Sequence, residues 1–216
     1  MILLKLLGGI IVNNTSLKKR VNGNVGETKL MKVVKEKADI EVIKKFIEES
    51  EDINARNRSG FTALMFAALS NDDPKVIRLL IEAGANVNVK SSLGRTPLMY
   101  ATRYNTLEIV EELIENGADI NAQEGLGRTP LIYATENPNS REIIKKLIDA
   151  GAELDLTDNS GNNSLLWAVK NNEDLDLISF LIDLGLDIKQ EDETGKSPLA
   201  LLKECCNSAK LDSLLA

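Results

Sequence analysis

The sequence has no histidine. Histidine is the commonest side chain for proton transfer near neutral pH and a frequent metal ligand. Its absence removes His-dependent nucleophile triads and His-containing zinc sites together. Cysteine is nearly absent too. Cys205 and Cys206 are the only two, and they are adjacent. A disulfide between neighbours closes a strained ring, and two sulfurs cannot complete a four-ligand zinc site. They read as plain buried or half-buried thiols near the C-terminus, in a reducing, cytoplasmic setting. Aromatics are few: one Trp, three Tyr and four Phe. Positive charge is not in excess either, with 26 Lys and Arg against 33 Asp and Glu, a formal charge of −7. Nucleic-acid binding rests on neutralising phosphates, so no nucleic-acid partner is expected. No apolar run reaches the roughly 20 residues that a transmembrane helix needs.

The most apolar stretch is the start, residues 1–12, broken only by Lys5. Its basic cluster, Lys18, Lys19 and Arg20, follows the apolar run, and no small-residue cleavage site comes after it. That order is wrong for an export leader. The segment reads as an apolar cap on the fold, with an atypical or wrongly started leader or a weak membrane contact as the alternatives.

At 43% hydrophobic and 27% charged, the chain can bury a core. What it has in abundance is repetition. Gly-Arg-Thr-Pro-Leu begins at Gly94 and again at Gly127. Related runs begin at Gly26, Gly60, Gly161 and Gly195, so every step is 33 or 34 residues. A second signature keeps phase with the first: an Ile-acid-x-Gly run ends at Gly84, Gly117, Gly151 and Gly185. A period of this length is the mark of a stacked repeat protein.

Each unit reads as helix, short loop, helix, long turn. Thr62, Thr96, Thr129 and Ser197 stand where a hydroxyl can accept from the free N–H groups of a helix start. Proline follows three of them, at a position where it costs no hydrogen bond. The second helix is amphipathic, as in Ile109, Val110, Leu113 and Ile114. The glycine after it can take the left-handed conformation that ends a helix.

These two signatures, Gly-x-Thr-Pro-Leu followed by Gly-Ala-Asp-x-Asn, resemble the ankyrin repeat. The resemblance covers residues 23 to 216. It implies an all-α solenoid of about six helix-turn-helix units with β-turn or hairpin fingers. The units run 23–56, 57–90, 91–123, 124–157, 158–191 and a shortened 192–216. Residues 1–22 form a flanking segment. The first and last units are degenerate, as terminal caps are. The family's histidine is replaced by Met31, Met65, Met99, Ile132, Leu166 and Ala200. Apolar packing is therefore expected where the family makes polar links.

Equivalent positions then acquire roles. Leu30, Leu64, Leu98, Leu131, Leu165 and Leu199 form one core row, and Ala67, Ala101, Ala134 and Ala168 another. Phe66, Tyr100, Tyr133 and Trp167 share one position just before the alanine row. They read as packing between repeats rather than as a stacking ladder for a ligand. Glu111, Glu112 and Glu115 read as a solvated convex helix face, not as paired catalytic acids.

The resemblance implies a protein-binding scaffold, with fingers and first helices lining a concave face. The candidate contact residues are Arg58, Phe61, Leu93, Arg95, Arg103, Tyr104, Leu126, Arg128, Asn162 and Lys170. Arginine and tyrosine are enriched among interface hot spots. A stripe of Arg95, Arg103 and Arg128 on an acidic protein fits a partner with an acidic patch. The alternative is that these are ordinary solvated residues. The expected molecule is a monomeric adaptor, not an enzyme, without catalytic residues, metal or cofactor. An accessory subunit of an enzyme complex, or a secreted or host-directed effector, shares the scaffold and forms the competing reading.

Overall fold

The computed structural model describes residues 26–70, 72–171 and 174–205. The segment 1–22 and Cys206 lie outside these, as do the expectations attached to them. Eleven helices and no strands occur among the described residues. They fall into five pairs and a last single helix. The pairs are α1 (Lys29–Lys35) with α2 (Ile40–Glu48), α3 (Ala63–Ser70) with α4 (Pro74–Glu82), α5 (Pro97–Tyr104) with α6 (Leu107–Glu115), α7 (Pro130–Ala134) with α8 (Ser140–Asp149), and α9 (Ser164–Asn171) with α10 (Leu175–Asp183). Helix α11 (Pro198–Cys205) ends the described chain. First helices stack on first helices and second on second, giving two layers. This is an all-α solenoid.

The helix starts follow from the threonines. Thr62, Thr96 and Thr129 accept through Oγ1 from the N–H three residues on, and Ser197 does the same. Thr28 and Asn163 cap the first and fifth units in the same way. The leucine row is buried from Leu30 through Leu165, and Leu199 is half-buried at the open end. The four alanines of the second row are fully buried. No single pair encloses its apolar face, so each pair's core is completed by its neighbour.

The replacement of the family histidine is not purely apolar. The sulfurs of Met31 and Met99 accept from the backbone N–H of Thr28 and Thr96, at 3.4 and 3.5 Å. Thioether sulfur is a weak acceptor, yet it satisfies a donor that burial would otherwise strand.

The fingers between units are closed by paired backbone bonds rather than by strands. Ser91 N–H donates to the Arg95 carbonyl and Gly94 N–H to the Ser91 carbonyl, and Glu124, Arg128 and Gly127 repeat the pattern. Neighbouring fingers are tied together, with Gly125 N–H donating to the Leu93 carbonyl and Asn159 N–H to that of Leu126. This close approach requires glycine. Gly127 has φ +78°, and a Cβ there would lie 2.5 Å from Asn159 Oδ1.

Behind the fingers an asparagine clasp joins successive turns. Asn88 Nδ2 donates to the Gly117 carbonyl at 3.0 Å, and its Oδ1 accepts from Asp119 N–H at 2.8 Å. Asn54 and Asn121 make the equivalent pairs with Gly84 and Asn86, and with Gly151 and Glu153. Asp155 stands at the next equivalent position. Its carboxylate has no N–H for the Gly185 carbonyl.

One sequence expectation for the outer layer is corrected. Glu112 is not solvated: it is buried, and Arg78 grips both its oxygens at 3.0 and 2.6 Å. The structural reason is the repeat itself, which places Arg78 on the preceding outer helix 34 residues earlier. Glu111 is half-buried and pairs with Lys146, and Glu115 is exposed.

Candidate protein-binding face

The residue after each finger glycine and the aromatic row, read separately in the sequence, interleave into one stack. Phe61 lies between Phe66 and Tyr100, at ring centroid distances of 5.2 and 5.0 Å. Arg95 takes the same place one unit on, its guanidinium 5.2 Å from the ring centroid of Tyr133. Arg128 follows, 5.9 Å from Tyr133 and 4.2 Å from Trp167. Each of these three finger residues thus contacts the aromatic side chain of the following unit. Planar guanidinium groups lie well on ring faces, which hold their orientation.

The ten candidates divide by where the fold places them. Phe61 and Asn162 are buried, at 4% exposure each, and serve as packing and hydrogen-bonding elements within the array. Asn162 Nδ2 donates to both oxygens of Asp158 and its Oδ1 accepts from Lys170. Lys170 also bonds Asp192 at 2.5 Å, so its charge is spent inside the fold. Arg58 is exposed. Leu93 and Leu126 are open as well, at 60% and 53%.

Arg95, Arg103, Tyr104 and Arg128 are brought together. The guanidinium of Arg103 lies 4.9 Å from the Tyr104 ring and 5.5 Å from that of Tyr133. All three guanidinium carbons are therefore within 5.9 Å of one ring centroid, that of Tyr133. Two carboxylates temper this concentration of charge. Glu124 lies 3.9 Å from Arg95 Nε, and Glu136 is in contact with Arg103. Burial raises the phenols of Tyr104 and Tyr133, the former to about 12, so both carry their protons at neutral pH.

Tyr133, Glu124, Glu136 and Trp167 complete this arrangement without having been singled out as site residues. A signal for Glu136 was present: it follows Arg103 by one repeat length with the opposite charge. Tyr133 and Trp167 belonged to a row read as packing. Packing is their role, but their ring faces also orient the cations.

Among the described residues no group of three or more Cys, Asp or Glu is placed to hold a metal, and no helix is long and apolar enough to cross a membrane. The family model for ankyrin repeats, in three copies, matches residues 30–124 and 122–192. The chain belongs to the ankyrin repeat family. Ankyrin repeats are protein–protein interaction modules, generally without enzymatic activity. No curated protein matches the chain. Within this ankyrin array, open apolar finger tips and clustered arginines coincide in the third and fourth units.

Proposed function

We propose that this protein is a non-enzymatic adaptor, and that it binds its partner on the finger side of the third and fourth ankyrin units. The observation that carries the reading is the pairing of Leu93 and Leu126. Single exposed leucines are common on any surface. These two occupy the same tip position on adjoining fingers, joined by a backbone bond of 3.1 Å. Val42, on α2, is the other exposed large apolar residue among those described. The tips adjoin fingers whose roots are Arg95 and Arg128, which supplies an apolar edge beside a cationic one. A complementary partner segment carries apolar residues and acidic residues together.

Photo-crosslinking tests this. A benzophenone amino acid placed at Leu93 or Leu126 of the native chain should capture one protein that reforms a complex from purified components. The same group at Glu115 should not. Capture from Glu115 alone would move the binding face to the outer helices.

A further inference from the structure

The junction between the fourth and fifth units differs from the two before it at two places on the back of the array. The first is the turn. Asn88 and Asn121 each clasp the following turn, whereas Asp155 has no amide for the Gly185 carbonyl. No hydrogen bond joins these two turns among the described residues. The repeat also sets Asp187 where Glu153 stands, and Glu153 Oε1 accepts from Asn121 Nδ2 at 3.2 Å. One unit on, two carboxylates therefore replace an amide and a carboxylate. Like charges repel, and salt screens them where they are exposed, as Asp155 and Asp187 are.

The second place is the outer layer. Arg78 pairs with Glu112, and one junction later Glu111 pairs with Lys146. These are the same two helix positions in successive units. At the next junction they are Lys145 and Phe180, so a ring stands where a charge stood. Lys145 Nζ lies 5.6 Å from the centroid of that ring, and the Arg141 guanidinium lies 5.7 Å from it. Arg141 also donates to the Asp176 carbonyl at 2.5 Å. A cation over a ring face is not held by a fork of directed bonds, as Arg78 and Glu112 are. No ion pair joins the fourth and fifth units among the described residues.

The finger side of the same junction is closed. Asn159 N–H donates to the Leu126 carbonyl at 2.9 Å, and Asn159 Nδ2 donates to that of Gly125 at 3.2 Å. Gln123 Nε2 donates to the Thr157 carbonyl at 3.0 Å. Arg128 rests on the Trp167 ring across the junction. One edge is fastened by directed bonds and the opposite edge is not, which is the geometry of a hinge. We propose that the array bends between its fourth and fifth units, pivoting on the fingers and opening at the turns that carry Asp155 and Asp187. Bending tilts the last two units against the first four and so changes the curvature beside Arg128. The hinge does not depend on the docking face, and its test uses no partner.

The test measures distances in the full chain by pulsed electron resonance, with spin labels on non-natural side chains so that the native cysteines stay untouched. Labels at Glu115 and Asp183, exposed ends of outer helices two units apart, span the hinge. Labels at Glu82 and Asp149 are the equivalent pair one unit earlier and do not span it. Both separations should be two helix spacings, roughly 16–20 Å. At about 0.01 M salt, where the Debye length is about 30 Å, the Glu115/Asp183 distribution should be at least about twofold broader than the control. It should narrow at about 1 M salt and in Asp155→Asn. A finger-side pair at the exposed Leu93 and Ser160 should be as narrow as the control. Asn121→Asp moves the same defect one junction back and should broaden the Glu82/Asp149 pair, a second readout should Asp155→Asn fail to fold. Thermal melts accompany both variants. Equal widths for the two outer pairs at low salt overturn the hinge. So does a Glu115/Asp183 width that a folded Asp155→Asn leaves unchanged, or a Glu82/Asp149 width that a folded Asn121→Asp leaves unchanged. Equal broadening of the Leu93/Ser160 pair overturns it too, because the fifth unit is then loose as a whole rather than pivoting on its finger.

Discussion

At the residue scale, Tyr133 is the ring on which the arginine cluster rests. Its ring is fully buried and bears on three guanidiniums, while its hydroxyl has no partner among the described residues. Removing the ring by Tyr133→Ala should cost roughly 3–5 kcal/mol in chemical denaturation, as for other buried aromatics. Tyr133→Phe deletes only an unsatisfied hydroxyl, so stability should hold or rise. Asp192 makes a different prediction. Burial alone would raise its carboxyl. Hydrogen bonds from Lys170, from Thr194 and from the backbone N–H groups of Thr194 and Lys196 outweigh burial and hold it well below the usual carboxylate range. A carboxyl lowered in the folded state adds stability that is present above its unfolded value, about 3.9, and is lost as pH falls through the folded one. Melting temperature should therefore drop on acidification below about pH 4. Asp192→Asn should flatten that drop and lower stability at neutral pH.

At the scale of the element, the turn signals of the sequence were nearly sufficient. Thr96 and Thr129 followed by proline marked the starts of α5 and α7, and the glycines after α6 and α8 marked their ends. Such signals are local, so the sequence displays them. The interleaving of finger residues with the aromatic row was not legible. It depends on how far each finger leans over the next unit, which spacing does not encode. For the same reason Phe61 read as a contact residue although the fold buries it, and Glu112 read as solvated although Arg78 covers it. The asparagine clasps lie between these cases: the residue type recurs in the sequence, but its partner is in the next unit. Their loss at Asp155 gives a test. Asp155→Asn restores an amide where Asn54, Asn88 and Asn121 have one, and should raise stability by about 0.5–1.5 kcal/mol in a denaturant titration. Asn88→Asp should lower it by a similar amount.

At the scale of the whole molecule, the proposed division of labour sets the finger side against the outer helices. The outer helices are joined by unit-to-unit ion pairs, Arg78 with Glu112 and Lys146 with Glu111. Their charges are matched within the fold. The finger side of the third and fourth units is different, with open leucine tips and a guanidinium that has no ion-pair partner among the described residues. The most direct test of this division is a titration. The partner captured from Leu93 or Leu126 is titrated against wild-type protein, the triple variant Arg95→Ala/Tyr104→Ala/Arg128→Ala and the outer-layer variant Glu111→Ala/Glu115→Ala, with thermal melts alongside. The triple variant should stay folded and lose more than about 2 kcal/mol of binding, roughly thirtyfold in affinity, while the outer-layer variant binds as wild type does. Wild-type affinity in the triple variant, with the fold intact, would contradict the account.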